Sequence, residues 1–310
     1  MSIFKKISLF LAAAITLSLC SCKTNEEKTN GLNVITTNFT YYDFVRQISG
    51  GSCLPEMLLA GGQDSHSYEP TAQEMIRISE ADIFICTGGE SDSWVDEMLS
   101  SIEGDVVVMK MMDYVDPLCS EEDHEHNHDD EHHEHSHEEY DEHIWTSPKN
   151  AMIISEKIAD TMCAADPDNA ERYKEGFAAF NAELLKLDEE LSEAAKNLTK
   201  PLIFGDRFPF LYMAKDYGIA YHAAFSGCSS ETEPSAARMT ELIEAAKEFD
   251  VKKVFYIEFS TEKVANTVAE AVGADTGIFY SCHSVCDEDF ENGESYISLM
   301  RKNIETLKSY

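Results

Sequence analysis

The sequence predicts an α/β protein of two similar lobes with mostly parallel sheets, joined by a long rigid helix. Three observations carry that prediction. Short apolar runs alternate with helix-period segments from Leu32 to Met112, the alternation resumes after Lys200, and an uninterrupted amphipathic segment, Pro167 to Leu198, lies between them. Strands that alternate with crossover helices build parallel sheets covered on both faces. With 310 residues the chain is long enough for two lobes.

Taken in order, residues 1–22 read as a lipoprotein signal and residues 23–31 as a polar tether. Lys5 and Lys6 form the positive end, and Ile7 to Leu19 is an apolar run too short for a comfortable membrane span. Leu19-Cys20-Ser21-Cys22 resembles a bacterial lipoprotein box. Cys22, with the small Ser21 before it, suits lipidation better than Cys20, which follows bulky Leu19. The expectation is export and anchoring by lipid on the extracytoplasmic face of the cell membrane.

The first lobe, residues 32–166, reads as LNVITTNF, SCLPEMLLA, ADIFICTGG and DVVVMKMM for strands, each followed by a helical or loop segment. Pro148 sits where a first-turn proline favours a helix start. The linking helix, residues 167–200, places Tyr173, Phe177, Phe180, Leu184, Leu187 and Leu191 on one stripe. At 1.5 Å per residue it would extend about 45 Å and act as a strut. The second lobe, residues 201–310, reads as strands PLIFGD, AYHAAFS, KKVFYIEF and DTGIFYSC separated by helical segments. In such sheets ligands gather at the carboxyl ends of strands, here the cleft between lobes.

A His-rich loop at residues 120–140 interrupts the pattern. Between Glu121 and Glu139 stand seven histidines (His124, His126, His128, His132, His133, His135 and His137), ten carboxylates, one Asn and one Ser. A segment without apolar side chains cannot offset the entropy of ordering it. Imidazole and carboxylate together point to metal handling, because a merely soluble spacer has no use for imidazole. Net charge is -34, and removing residues 1–21 with Lys5 and Lys6 takes it to -36. So negative a surface repels nucleic acid and concentrates cations.

Outside the loop only His66, His143, His222 and His283 remain. His66, His143 and His283 all fall where strands give way to loops, two in one lobe and one in the other. Neutral imidazoles so placed can converge on one ion in the cleft. His222, inside AYHAAF, reads as structural. For a fourth ligand Asp206 and Glu258 end strands of the second lobe. Asp206 is favoured, against a competing role as a cap for the helix beginning RFPFLY. Of nine cysteines, seven remain after Cys20 and Cys22. An odd number excludes a fully paired framework; Cys228 with Cys282 is the preferred bridge if the compartment is oxidising.

DSHSYEPT with His66, DEHIWTSPKNA with His143, ETEPS at Glu231 to Ser235, and GESYISLMRKN occur in this order. On these segments the chain resembles the metal-binding solute receptors of bacterial zinc and manganese ABC transporters, in the zinc-type branch with a His-rich loop. The resemblance extends from Leu32 to Tyr310. It implies two lobes bridged by a rigid helix, a metal held between them, and delivery to an ABC permease and its ATPase by a monomeric receptor. His66 and His143 match the family's first two ligand positions and His283 aligns with the fourth. The third falls near Gly205, which cannot ligate, so Asp206 is a shift of one residue.

Three imidazoles and one carboxylate favour Zn2+ over Mn2+, which prefers oxygen ligands and sits lowest in the divalent affinity order. Affinity should fall as pH drops through roughly 6.5. An Mn2+ receptor of the same type is one alternative. A zinc hydrolase is another, although neither HExxH nor GxSxG is present. An adhesin or a purely periplasmic metal buffer is a further one.

Overall fold

A computed structural model describes residues 31–59, 68–101, 105–119, 140–229 and 233–310. Cys22, His66, Glu231 and the seven loop histidines lie outside the described residues.

The described residues form two sheets, each of four parallel strands. The first contains β1 (Val34–Thr36), β2 (Glu56–Met57), β3 (Ile83–Cys86) and β4 (Val107–Lys110), in the order β2-β1-β3-β4. The second contains β5 (Leu202–Phe208), β6 (Tyr221–Ser226), β7 (Lys253–Tyr256) and β8 (Asp275–Ile278), in the order β6-β5-β7-β8. Each sheet therefore places its second strand at an edge, followed by its first, third and fourth. The expected likeness of the halves is realised down to strand order.

Strand alternation sorts the apolar side chains into layers. Val34, Ile83 and Ile85 face one buried cluster, while Ile35, Phe84 and Cys86 face another. In the second sheet Leu202, Phe204 and Phe255 join the same large cluster as Val34, and Ile203 and Val254 belong to a third. The largest cluster thus runs unbroken from β1 to β5. Its bridge is the long helix, preceded by Pro148–Ala165 (α1) and spanning Ala170–Lys196 (α2), about 40 Å at 1.5 Å rise. Its buried stripe is Tyr173, Phe180, Leu184, Leu187, Leu191 and Ala194, with Phe177 half-buried beside it. Helix α1 starts at Pro148, with the Ser147 side chain accepting a bond from the Lys149 amide.

Gly176 lets α2 approach the helix Phe39–Ser49. A Cβ there would lie 2.1 Å from the Ile48 carbonyl oxygen.

Two strand readings differ from expectation. SCLPEMLLA contributes only Glu56–Met57, at the sheet edge, because Pro55 withholds a donor just before it. The strand read as ending at Asp206 continues to Phe208 through a register irregularity between Phe204 and Arg207, and the next helix starts at Leu211.

Hydrogen bonds tie the loop after β8 to the first half. Phe39 N donates to His283 O at 3.1 Å, Thr40 Oγ1 to Cys282 O at 2.6 Å, and Trp145 Nε1 to Ser281 O at 2.8 Å. Tyr296 adds two more: its N–H donates to Asp43 Oδ2 at 2.8 Å and its hydroxyl to Trp145 O at 2.7 Å.

Candidate metal centre

The two flanks of the His-rich segment are pinned together. Cys119 and Tyr140 form an antiparallel bridge, and Asp141 N donates to Leu118 O at 2.8 Å. Tyr212 OH donates to Asp141 O at 2.8 Å, which fixes the following turn from the other half. Asp141 and His143 are consequently buried, at 1% and 5% exposure. Asp141 Oδ1 accepts the His143 backbone N–H at 2.8 Å and lies 3.2 Å from Nδ1 of the His143 ring. Burial disfavours the charged imidazole, but the Asp141 carboxylate and the Cys228 sulfur beside it outweigh burial. The His143 pKa is held well above the ordinary imidazole value.

His283 meets His143 from the other half. Their ring centroids are 5.8 Å apart and the planes nearly perpendicular, at 88°. Trp145 packs against both, 5.5 Å from His143 and 5.3 Å from His283. The fold therefore brings together two of the three histidines expected to converge; the third, His66, lies outside the described residues.

The carboxylates behave differently from expectation. Asp206 spends one oxygen on the Arg207 amide at 2.8 Å and the other on the Ile257 amide at 3.2 Å. It serves the junction of β5 and β7 and is absent from the cluster around His143. The strand on which that reading rested does not end at Asp206 but runs on to Phe208. Glu258 is nearer the centre. Desolvation raises its pKa, while bonds from the Ser281 amide and hydroxyl, and the His143 charge, pull it down. By accepting both Ser281 bonds it holds the loop that carries His283, whose own N–H donates to Ser281 Oγ at 3.2 Å. His222 is half-buried with Nδ1 3.8 Å from Glu241, in keeping with a structural role.

Cys228 and Cys282 are both free thiols, which corrects the expected bridge. Cys282 is buried in the core with its sulfur 3.9 Å from Tyr280 O, whereas Cys228 faces His143. Ligand atoms of Asp141, His143 and Cys228 all lie within 4.8 Å of one another. The sequence reading missed Asp141 and Cys228. The signal for Asp141 was its place two residues before His143, and for Cys228 its place just after a strand end. A pocket of about 390 Å³ adjoins the cluster at Asp141, with Tyr221, His222, Gly227, Arg238 and Glu241 among its other walls.

A family model described as "ZnuA: Zinc-uptake complex component A periplasmic" matches residues 34–310. Zinc-binding lipoprotein AdcA of Streptococcus pneumoniae (strain ATCC BAA-255 / R6) is 32% identical over 314 residues, covering 98% of this chain and 60% of the relative. The chain thus spans about three fifths of the length of that relative. High-affinity zinc uptake system protein ZnuA of Bacillus subtilis (strain 168) is 32% identical over 313 residues, covering 98% of each. Among solved structures, the Zn(II)-bound ZnuA-like domain of Streptococcus pneumoniae AdcA superposes with a TM-score of 0.72 at 31% identity, over 90% of this chain and 98% of that one. The metal-dependent lipoprotein YcdH of Bacillus subtilis gives a TM-score of 0.74 at 28% identity, over 90% and 98%.

Proposed function

Because this chain belongs to the family of the periplasmic zinc-uptake complex component A, we propose that it is a receptor that captures Zn2+ in the cleft between its halves and delivers it to an ABC-type importer. The observation that carries this reading is the meeting of His143 and His283, one from each half, at 5.8 Å between ring centroids. Imidazoles supplied from both sides suit a site that encloses an ion. His66 is the third imidazole of the proposed set. The relatives named for zinc binding and zinc uptake support Zn2+ over Mn2+, as does the nitrogen-rich donor set. They give no support to the hydrolase alternative.

The partners are the permease and its ATPase. The chain is held on the extracytoplasmic face of the membrane through a lipid on Cys22 and acts as a monomer. The histidines of residues 121–139 collect metal weakly and raise its concentration beside the cleft. Competition against a chromophoric zinc chelator tests the reading. A tight single site that survives deletion of residues 121–139 is the expected result; loss of all binding on that deletion would assign zinc to the loop alone.

A further inference from the structure

Building on the zinc-receptor reading, we infer that Cys228 is a metal ligand, its thiolate holding the captured ion together with the imidazole of His143. Cys228 stands in the turn immediately after β6, at the carboxyl end of a strand. His143 reaches the same point from the first half. Their ligand atoms and a carboxylate oxygen of Asp141 lie within 4.8 Å of one another. A tetrahedral zinc site with bonds of about 2.0–2.3 Å separates its ligand atoms by roughly 3.3–3.8 Å. A contraction of about 1 Å would therefore suffice.

The neighbouring glycine shows that this approach is built in. A Cβ on Gly227 would sit 2.6 Å from Asp141 Oδ2 and 3.0 Å from Phe208 O. Only a residue without a side chain lets the turn bring Cys228 so close to the Asp141–His143 pair. The thiol is free and buried, at 8% exposure. Asp141, bonded to the backbone and beside the ring nitrogen of His143, holds that imidazole in place, as carboxylates do for ligating histidines. A pocket walled in part by Asp141 and Gly227 adjoins the pair.

Binding exchanges the S–H bond for a metal–sulfur bond, and the proton leaves to solvent. A thiolate shifts preference toward Zn2+, Cd2+ and Co2+ and away from Mn2+ and Mg2+. Cys228 thus supplies the soft donor in a cleft where a carboxylate was expected.

Co2+ binding to the full chain, reduced with a phosphine, is the test. A near-ultraviolet sulfur-to-cobalt charge-transfer band is expected, together with its loss in Cys228→Ser and at least ten-fold weaker zinc binding in that variant. A parallel measurement needs no variant: saturating zinc should protect Cys228 from alkylation, mapped by mass spectrometry. Cobalt bound without the band, a band that persists in Cys228→Ser, or alkylation at Cys228 indifferent to zinc would each overturn the thiolate ligand and leave the receptor reading standing. A wild-type chain that binds neither Co2+ nor Zn2+ would overturn the receptor reading itself.

Discussion

His143 and His283 approach one another edge to face, 5.8 Å between ring centroids and 88° between planes, although one precedes α1 and the other follows β8. Replacing either by Ala removes one donor from the proposed site. Each variant is expected to bind zinc at least ten-fold more weakly, about 1.4 kcal/mol or more. His222→Ala, whose imidazole is 3.8 Å from Glu241 instead of packing on His143 and Trp145 as His283 does, should bind nearly as well as the parent. Chelator competition on all three chains measures the difference.

Trp145 is buried between those two imidazoles and donates its indole N–H to Ser281 O at 2.8 Å. Its emission should respond to zinc. The chain has two tryptophans, so Trp94→Phe should keep the zinc-dependent fluorescence change and Trp145→Phe should abolish it. Titration of both variants under identical conditions reads the outcome.

Asp92 predicts a pH effect on stability. It is buried and accepts bonds from Thr87 N at 2.6 Å and Gly88 N at 3.0 Å. Burial nevertheless pushes its pKa up to about 6, with Glu142 adding repulsion. A folded-state value above the unfolded one means the folded protein binds the proton more tightly. The contribution is full below about pH 4 and is lost as pH rises through about 6. A pKa gap of about two corresponds to about 3 kcal/mol. Asp92→Asn keeps an acceptor for both amides and should flatten this part of the stability–pH curve, as denaturant melts across that range would reveal.

Gly176 predicts a failure of helix propensity. In an exposed helix Gly→Ala gains about 1 kcal/mol. Here the added methyl would meet Ile48 O at 2.1 Å and Gln47 O at 3.2 Å, both backbone atoms. The two helices must part, at a cost of roughly 1–3 kcal/mol. Gly176→Ala should therefore lower the melting temperature, measured by circular dichroism.

Much of the fold was legible because buried parallel strands are written as apolar runs. ADIFICTGG yielded Ile83–Cys86, buried at all four positions, and the stripe from Tyr173 to Leu191 yielded the long helix. His143 was legible from the abrupt return of apolar residues after the acidic segment. The remainder of the site was harder for a physical reason. A carboxylate near a strand end can serve a metal, a helix cap or a neighbouring strand, and Asp206 took the last through the Ile257 amide. Cys228 was hidden because a thiol's role depends on what stands opposite it. Its partner is a loop far away in the chain, while an oxidising compartment made pairing with Cys282 the nearer explanation.

The bonds from Phe39, Thr40 and Trp145 to His283, Cys282 and Ser281 have a mechanical consequence. They bolt the segment bearing His283 to the opposite half, so the spacing of His143 and His283 is set by backbone bonds and not by the ion they would share. Against that pair rests the turn at Gly227 and Cys228, close enough to Asp141 that a Cβ on Gly227 would stand 2.6 Å from its Oδ2.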